Sequence, residues 1–261
     1  MNGPAQRGGI AVFMAKVYAS YMLAFLNPIQ LVQMVMQGFG QLVALVRTRG
    51  APPDTTYAQK TRYTLPVRGE WFVYNGGVTP ETSHSWDVVA QRYAYDFVIT
   101  DASLMRHRGD GNVLEDYFCY GSEVLSPADG EVISVRDGIR DAPRPGSGWL
   151  DFLALDFRGN HVVIKHAEGE YSFLAHLIPG SICMRKGDRV QRGAVIGRCG
   201  NSSHSTEPHL HFHVQDHANV WITAGVPVKF DSVVIADAPQ PPIHLVRGTH
   251  VSPRACETIT A

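Results

Sequence analysis

The sequence lacks a charge bias, a CxxC pair and, beyond its first fifth, almost any helical periodicity. Its 23 Lys and Arg offset 24 Asp and Glu, giving a formal net charge of -1 and a pI near 6.9. That excludes the strong basic surplus of a general nucleic-acid binder, so no nucleic-acid partner is expected. The four cysteines, Cys119, Cys183, Cys199 and Cys256, form no metal-type pair. They read as small apolar packers rather than as a disulfide frame. At 261 residues, 44% hydrophobic and 18% charged, the chain suffices for one good-sized domain plus an extension.

Charge is also missing from residues 10–46, where Lys16 is the sole exception. Ile10–Leu26 is apolar enough to approach a membrane span, and Asn27–Pro28 then breaks or kinks the helix. In Ile29–Val46 the glutamines Gln30, Gln33, Gln37 and Gln41 fall three and four apart, one polar stripe on an otherwise Leu, Val, Met and Phe surface. Residues 1–46 are therefore expected to form an apolar helical segment in membrane contact, an uncleaved anchor in the cell envelope. No small-residue cleavage site follows Val17–Leu26. The alternative is a helical hairpin packed on the domain or on a second copy. Cations lie on both sides of the segment (Arg7 and Lys16, Arg47 and Arg49), so they give no orientation.

Residues 47–59, with Gly50, Pro52 and Pro53, read as a linker. From 60 to 235 the chain turns into short β-like runs divided by Gly, Asp and Asn turns, among them Arg62–Pro66, Arg92–Ile99, Glu123–Val135, Tyr171–Leu177 and His209–Gln215. Such spacing predicts a mostly β domain, a sandwich or barrel. The Pro-rich tail 236–261 is expected to be irregular.

The 12 histidines concentrate in the second half. In Pro208–His209–Leu210–His211–Phe212–His213–Val214, read as a strand, three imidazoles share one face while Leu210, Phe212 and Val214 take the other. A sheet gains nothing structural from three imidazoles in a row, whereas neutral imidazole is a common zinc ligand and a proton shuttle near neutral pH. In Tyr171–Leu177 the same alternation sets Tyr171, Phe173, Ala175 and Leu177 on one face and Ser172, Leu174 and His176 on the other. His107, His161, His166, His217, His244 and His250 read as structural, loop or tail residues.

Three further stretches accompany the histidine strand: the Pro127–Ala128–Asp129–Gly130 turn, Ala175–His176–Leu177, and the turn-rich Lys186–Gly197 hairpin. With Gly200–Asn201–Ser202 leading into Pro208–His209–Leu210–His211–Phe212, they make the chain resemble the lysostaphin-type (LytM-like) zinc metallopeptidases from about Glu123 to Gln215, with a weaker match back to Arg92–Phe97. The resemblance implies a barrel-sandwich (duplicated hybrid motif) peptidase domain, a Zn2+ cofactor, and peptidoglycan or another peptide as substrate. It carries the aspartate ligand to Asp96, the histidine ligand to His211, and the two catalytic histidines to His209 and His176. His213 stands where that family more often has an acidic residue, and is expected beyond the metal or at the surface.

The family's first ligand, a histidine four residues before the aspartate, corresponds here to Arg92. A guanidinium offers no lone pair, so Arg92 cannot be a ligand. On the same strand face as Asp96 it could form an ion pair with it instead. His84, in the polar loop before that strand, is the first candidate for the replacement and His204 the second. The competing reading is a degenerate LytM-like domain that binds cell wall or regulates another wall hydrolase. A biotinyl or lipoyl carrier fits less well, because Met184–Arg185–Lys186–Gly187 matches its acceptor turn only superficially. A sugar-phosphotransferase component fits poorly with the apolar amino terminus. Arg136–Gly159, a long interruption between strands, is expected to be a lid, a groove wall or a neutral insertion.

Overall fold

The protein, seen in a computed structural model that describes residues 4–50 and 53–254, is mostly β with an apolar helical amino terminus. Cys256 lies outside the described residues. Helices α1 (Pro4–Ala24) and α2 (Pro28–Arg47) meet at Asn27, which caps α2 by accepting from the amides of Ile29 and Gln30. Pro28 sits in the first turn, where no helical amide bond is lost.

The strands are β1 (Trp71–Asn75), β2 (Tyr95–Val98), β3 (Glu123–Leu125), β4 (Gly130–Arg136), β5 (His161–Ala167), β6 (Glu170–Ala175), β7 (Arg189–Val190), β8 (Val195–Arg198), β9 (Leu210–Gln215), β10 (Gly225–Val226), β11 (Val233–Ile235), β12 (Ala238–Pro239) and β13 (His250–Pro253). Eleven of them form one sheet in the order β12-β11-β13-β1-β2-β9-β6-β5-β4-β7, with β10 also on β9, while β3 and β8 pair separately. Strand β9 is central. Asp96 of β2 lies directly opposite His211 on one side, and Ala175 of β6 lies opposite it on the other. The period-two reading of β9 holds: Leu210, Phe212 and Val214 enter the main core with Tyr95, Phe97 and Leu174, and His211, His213 and Gln215 are buried on the other face.

Several expectations need correction. Residues 236–254 are not irregular throughout, because β12 pairs with β11 and β13 with β1 through Trp71 and Val251, and Leu245 between them is buried. The apolar residues that do this are scattered among prolines, and their pattern is too short to show a strand. Arg62–Pro66 is no strand but a single bridge from Tyr63 to Phe230. The run Arg92–Ile99 is extended only from Tyr95, and a short 3-10 turn (Val89–Gln91) precedes Arg92. Strict alternation also fails at the end of β6. His176 has a left-handed backbone (φ 63°), which returns its ring to the face of Phe173 and Ala175 and sends Leu177 into the core instead.

The helices pack on this scaffold with the glutamine stripe inward. Gln30 donates to the carbonyls of Asp151 and Ala154 and accepts from His204. Gln33 donates to Leu155 O and accepts from Phe157 N, and Gln41 donates to Asp87 O and accepts from Val89 N. Gly40 is required, since a Cβ there would stand 1.8 Å from the Trp221 carbonyl oxygen. Arg47 pairs with Asp216 at 2.7 Å. Much of the Arg136–Gly159 interruption thus serves as the seat of α2.

Candidate metal centre

The site forms where β1, β2, β9 and the end of β6 present polar side chains on the face away from the main core. Asp96 is its centre. Its Oδ1 lies 3.0 Å from His211 Nδ1 and 3.6 Å from His209 Nε2, and its Oδ2 lies 3.0 Å from Asn75 Nδ2 and 3.4 Å from His84 Nε2. One ligand atom each from His84, Asp96 and His211 falls within 4.8 Å of the others, a spacing that suits a single cation. His204, the second candidate for the missing ligand, is instead bonded to Gln30 under α2.

Local sequence explains how a loop histidine reaches a strand aspartate. After Asn75 come Gly76 and Gly77, both with positive φ. A Cβ on Gly76 would lie 2.3 Å from the Tyr95 ring, and one on Gly77 would lie 2.1 Å from Thr82 Oγ1. Only glycine lets the chain fold back this closely, and Gly76 N then donates to Thr82 O at 3.1 Å. Arg92 does not pair with Asp96. It follows the 3-10 turn rather than lying on β2, so the expected shared strand face does not exist. Its Nε donates to Trp86 O and its guanidinium stacks over the Trp86 ring at 5.0 Å. Arg92 thereby fastens the loop that carries His84.

Hydrogen-bond polarity decides what the site can hold. A main-chain carbonyl only accepts. Gln215 Nε2 therefore donates to His217 O at 2.8 Å, which leaves Gln215 Oε1 to accept from His213 Nε2 at 3.2 Å. His213 Nδ1 is then bare and accepts from His211 Nε2 at 3.0 Å. His211 Nδ1 faces a carboxylate oxygen 3.0 Å away. In the neutral ring that nitrogen is bare and the two acceptors need a cation to bridge them, whereas the imidazolium would donate to the carboxylate directly. His209 and His176 are oriented in the same way: Nδ1 of each donates to a carbonyl at 2.8 Å, Glu207 O and Ser202 O respectively, so the neutral ring of each presents a bare Nε2. The two rings lie 4.8 Å apart between centroids. Two imidazoles and a carboxylate, with lone pairs converging, fit the ligand set of zinc.

Electrostatics follow the same geometry. Burial pushes the Asp96 carboxyl up, but the surrounding imidazoles outweigh it and hold it well below the usual carboxylate range. Burial holds His176 well below the ordinary imidazole value, lowers His84, and brings His213 down to about 3. His213 is no surface group. It is buried, and its ring stacks on Phe173 at 4.9 Å.

A cavity of about 630 Å³ opens over these groups. His84, Asp96, His176, His209 and His211 line its floor, while Val17, Tyr21, Phe25, Met34 and Gln37 from the helices form its roof. Sequence reasoning missed Asn75. It stands directly opposite Asp96 across the β1–β2 ladder, and its only signal was the Asn-Gly-Gly turn.

Residues 115–223 match the family model "Peptidase family M23", a segment that holds His176, His209 and His211 but neither His84 nor Asp96. Over 81 residues the chain is 35% identical to the Peptidoglycan DD-endopeptidase ShyA of Vibrio cholerae, covering 28% of this chain and 18% of that protein. Over 95 residues it is 30% identical to the Cell division protein DipM of Caulobacter vibrioides, covering 36% of this chain and 13% of that protein. The chain thus spans less than a quarter of the length of either relative. Among solved structures, the catalytic domain of lysostaphin from Staphylococcus simulans aligns with a TM-score of 0.32 at 16% identity, over 60% of this chain and 88% of that one. A zinc containing peptidase from Vibrio cholerae aligns with a TM-score of 0.32 at 25% identity, over 67% and 37%. The similarity to peptidase family M23 thus covers residues 115–223, less than half of the chain.

Proposed function

We propose that this chain is a zinc-dependent metalloendopeptidase acting on peptide bonds of peptidoglycan cross-links, in contact with a membrane of the cell envelope through residues 10–46. The observation that carries the reading is the convergence of one ligand atom each from His84, Asp96 and His211 within 4.8 Å of one another. His84, Asp96 and His211 are the ligands in this reading, with Arg92 standing in place of the family's first histidine and His84 supplying what Arg92 cannot. Zinc held there supplies Lewis acidity to a scissile carbonyl and makes a neighbouring water more acidic.

The chain's own groups do the rest. His209, with its bare Nε2 beside Asp96, takes the proton of the attacking water and returns it to the leaving amine. Neutral His176 accepts a hydrogen bond at Nε2. It can donate to a developing oxyanion only after it has itself been protonated, so its stabilising role follows proton transfer. Asn75 holds the second oxygen of Asp96 in place. Purified full-length protein should carry zinc in near-stoichiometric amount and cleave peptidoglycan peptides. His211→Ala should lose both metal and turnover, and His209→Ala should keep metal while losing turnover. Protein that takes up no zinc yet binds cell wall would instead be a degenerate binding module.

A further inference from the structure

The helices have an inverted arrangement. Ser20, Asn27, Gln30, Gln33 and Gln41 all spend their polar atoms on the domain or their own helix, while the face turned to solvent carries Ile10, Met22, Leu26, Val35, Phe39 and Val46. The two helices bury little apolar surface of their own against the domain: α2 hides only Gln30, Gly40 and Ala44. Leu153 and Leu155, 62% and 55% exposed, stand beside it on the loop that accepts from Asn27, Gln30 and Gln33 and extend the apolar surface.

We infer that α1 and α2 lie flat in the surface of a lipid bilayer, apolar face in the lipid and glutamine face clamped to the domain, as the membrane-seated roof of the catalytic cavity. This rests on the membrane contact proposed above and specifies its geometry. Helix α2 is long and apolar enough to cross a membrane, with a mean hydropathy of 1.5. Crossing would nevertheless strip Gln30, Gln33 and Gln41 of their partners and leave their amides in hydrocarbon. Lying flat keeps every one of those bonds.

Charge favours lipid over a second copy. Up to residue 53 the sequence has four cations, Arg7, Lys16, Arg47 and Arg49, and no acid, Asp54 being the first. Arg47 is paired with Asp216; the surplus left by Arg7, Lys16 and Arg49 suits anionic headgroups and would repel its own duplicate. A protein interface also has a polar rim, and here the polar groups are already engaged with the domain. The cavity floor lies directly beneath this roof, so the peptide it takes is one running along the membrane surface.

The test uses full-length protein with Cys183→Ser and Cys256→Ser, and single cysteines placed at the exposed positions Ile29, Met36 or Val46 for a fluorescent label. Mixed phosphatidylcholine–phosphatidylglycerol vesicles carry quenchers at the headgroup or deep in the acyl chains. The expected result is co-flotation with the vesicles and equal, shallow quenching at all three sites. Val35→Glu combined with Phe39→Glu should reduce vesicle partitioning at least tenfold while zinc content stays unchanged. Deep quenching at Met36 with shallow quenching at Ile29 and Val46 would show a spanning helix and overturn the flat geometry while leaving membrane contact standing. Failure to float overturns both, whether light scattering then gives a dimer, with a second copy on this face, or a monomer.

Discussion

Replacing Gln215 by leucine removes the fixed end of the chain that runs from His217 O through Gln215 and His213 to His211. Leucine has similar bulk, so the buried face of β9 stays filled, but His213 Nε2–H loses its acceptor. An unsatisfied buried donor costs about 1–3 kcal/mol. His213 can avoid that cost by shifting its proton to Nδ1, which then confronts His211 Nε2–H and drives the His211 proton to Nδ1, the atom that should bind metal. At about 1.4 kcal/mol per decade, zinc affinity should fall about 10- to 100-fold, the range seen when groups that orient a ligating histidine are removed. Chelator competition measures the affinity. Nitrogen chemical shifts of the metal-free protein report the His213 tautomer, protonated at Nε2 in the parent and at Nδ1 in the variant. If Gln215→Leu binds zinc within twofold of the parent while its melting transition shows a folded protein, the tautomer argument is wrong.

The other expectations concern the loop, the ligand and the roof. His84→Ala should lose zinc at least tenfold, read by metal content after dialysis, and an unchanged content would remove His84 from the ligand set. Arg92→Ala should leave the fold intact but weaken zinc binding several-fold, because Trp86 and the His84 loop lose their fastening; activity restored at high zinc would separate this from a catalytic role. His204, against Gln30, is lowered to about 4 by burial, with the Asp151 and Asp156 carboxylates opposing the shift. Since its folded value lies below the ordinary 6.5, the contact is unpenalised above about pH 6.5. It loses up to about 3 kcal/mol as pH falls toward 4. Amide exchange in α2 should therefore quicken over that interval, and His204→Gln should remove the pH dependence.

How far the sequence revealed this can be read at particular residues. The period-two pattern of β9 was legible because its apolar face is strictly alternate, and the family resemblance carried Asp96, His176, His209 and His211, which line one cavity. His84 could be suggested but not located, since its approach depends on two positive-φ glycines and on a guanidinium clamp, neither of which leaves a periodic signal. The orientation of His176 was misread because one left-handed residue inverts a face. Strand β13 was hidden among prolines, and β1 was passed over beside a glycine turn. The glutamine stripe was visible, but whether it faced water or protein depends on the loop 151–157, whose carbonyls no sequence pattern marks.

A third ligand supplied by a loop has a consequence for control of the site. Asp96 and His211 are held by ladder hydrogen bonds between β2 and β9 and keep their positions as long as the sheet stands. His84 is held only by its loop, through Gly76–Thr82 at one end and Arg92–Trp86 at the other, and it is the most exposed of the three ligand candidates. The same loop continues to Asp87 and Val89, the residues that Gln41 of α2 grips. Roof and third ligand thus share one short segment, and a displacement of α2 that frees the cavity also removes a support from His84. Coupling of this kind predicts that zinc is bound more tightly when the helices are seated than when Gln41→Ala has loosened them. A chelator titration of the two proteins, each with and without vesicles, decides whether the segment transmits anything at all: equal affinities under all four conditions would mean that loop and roof move independently.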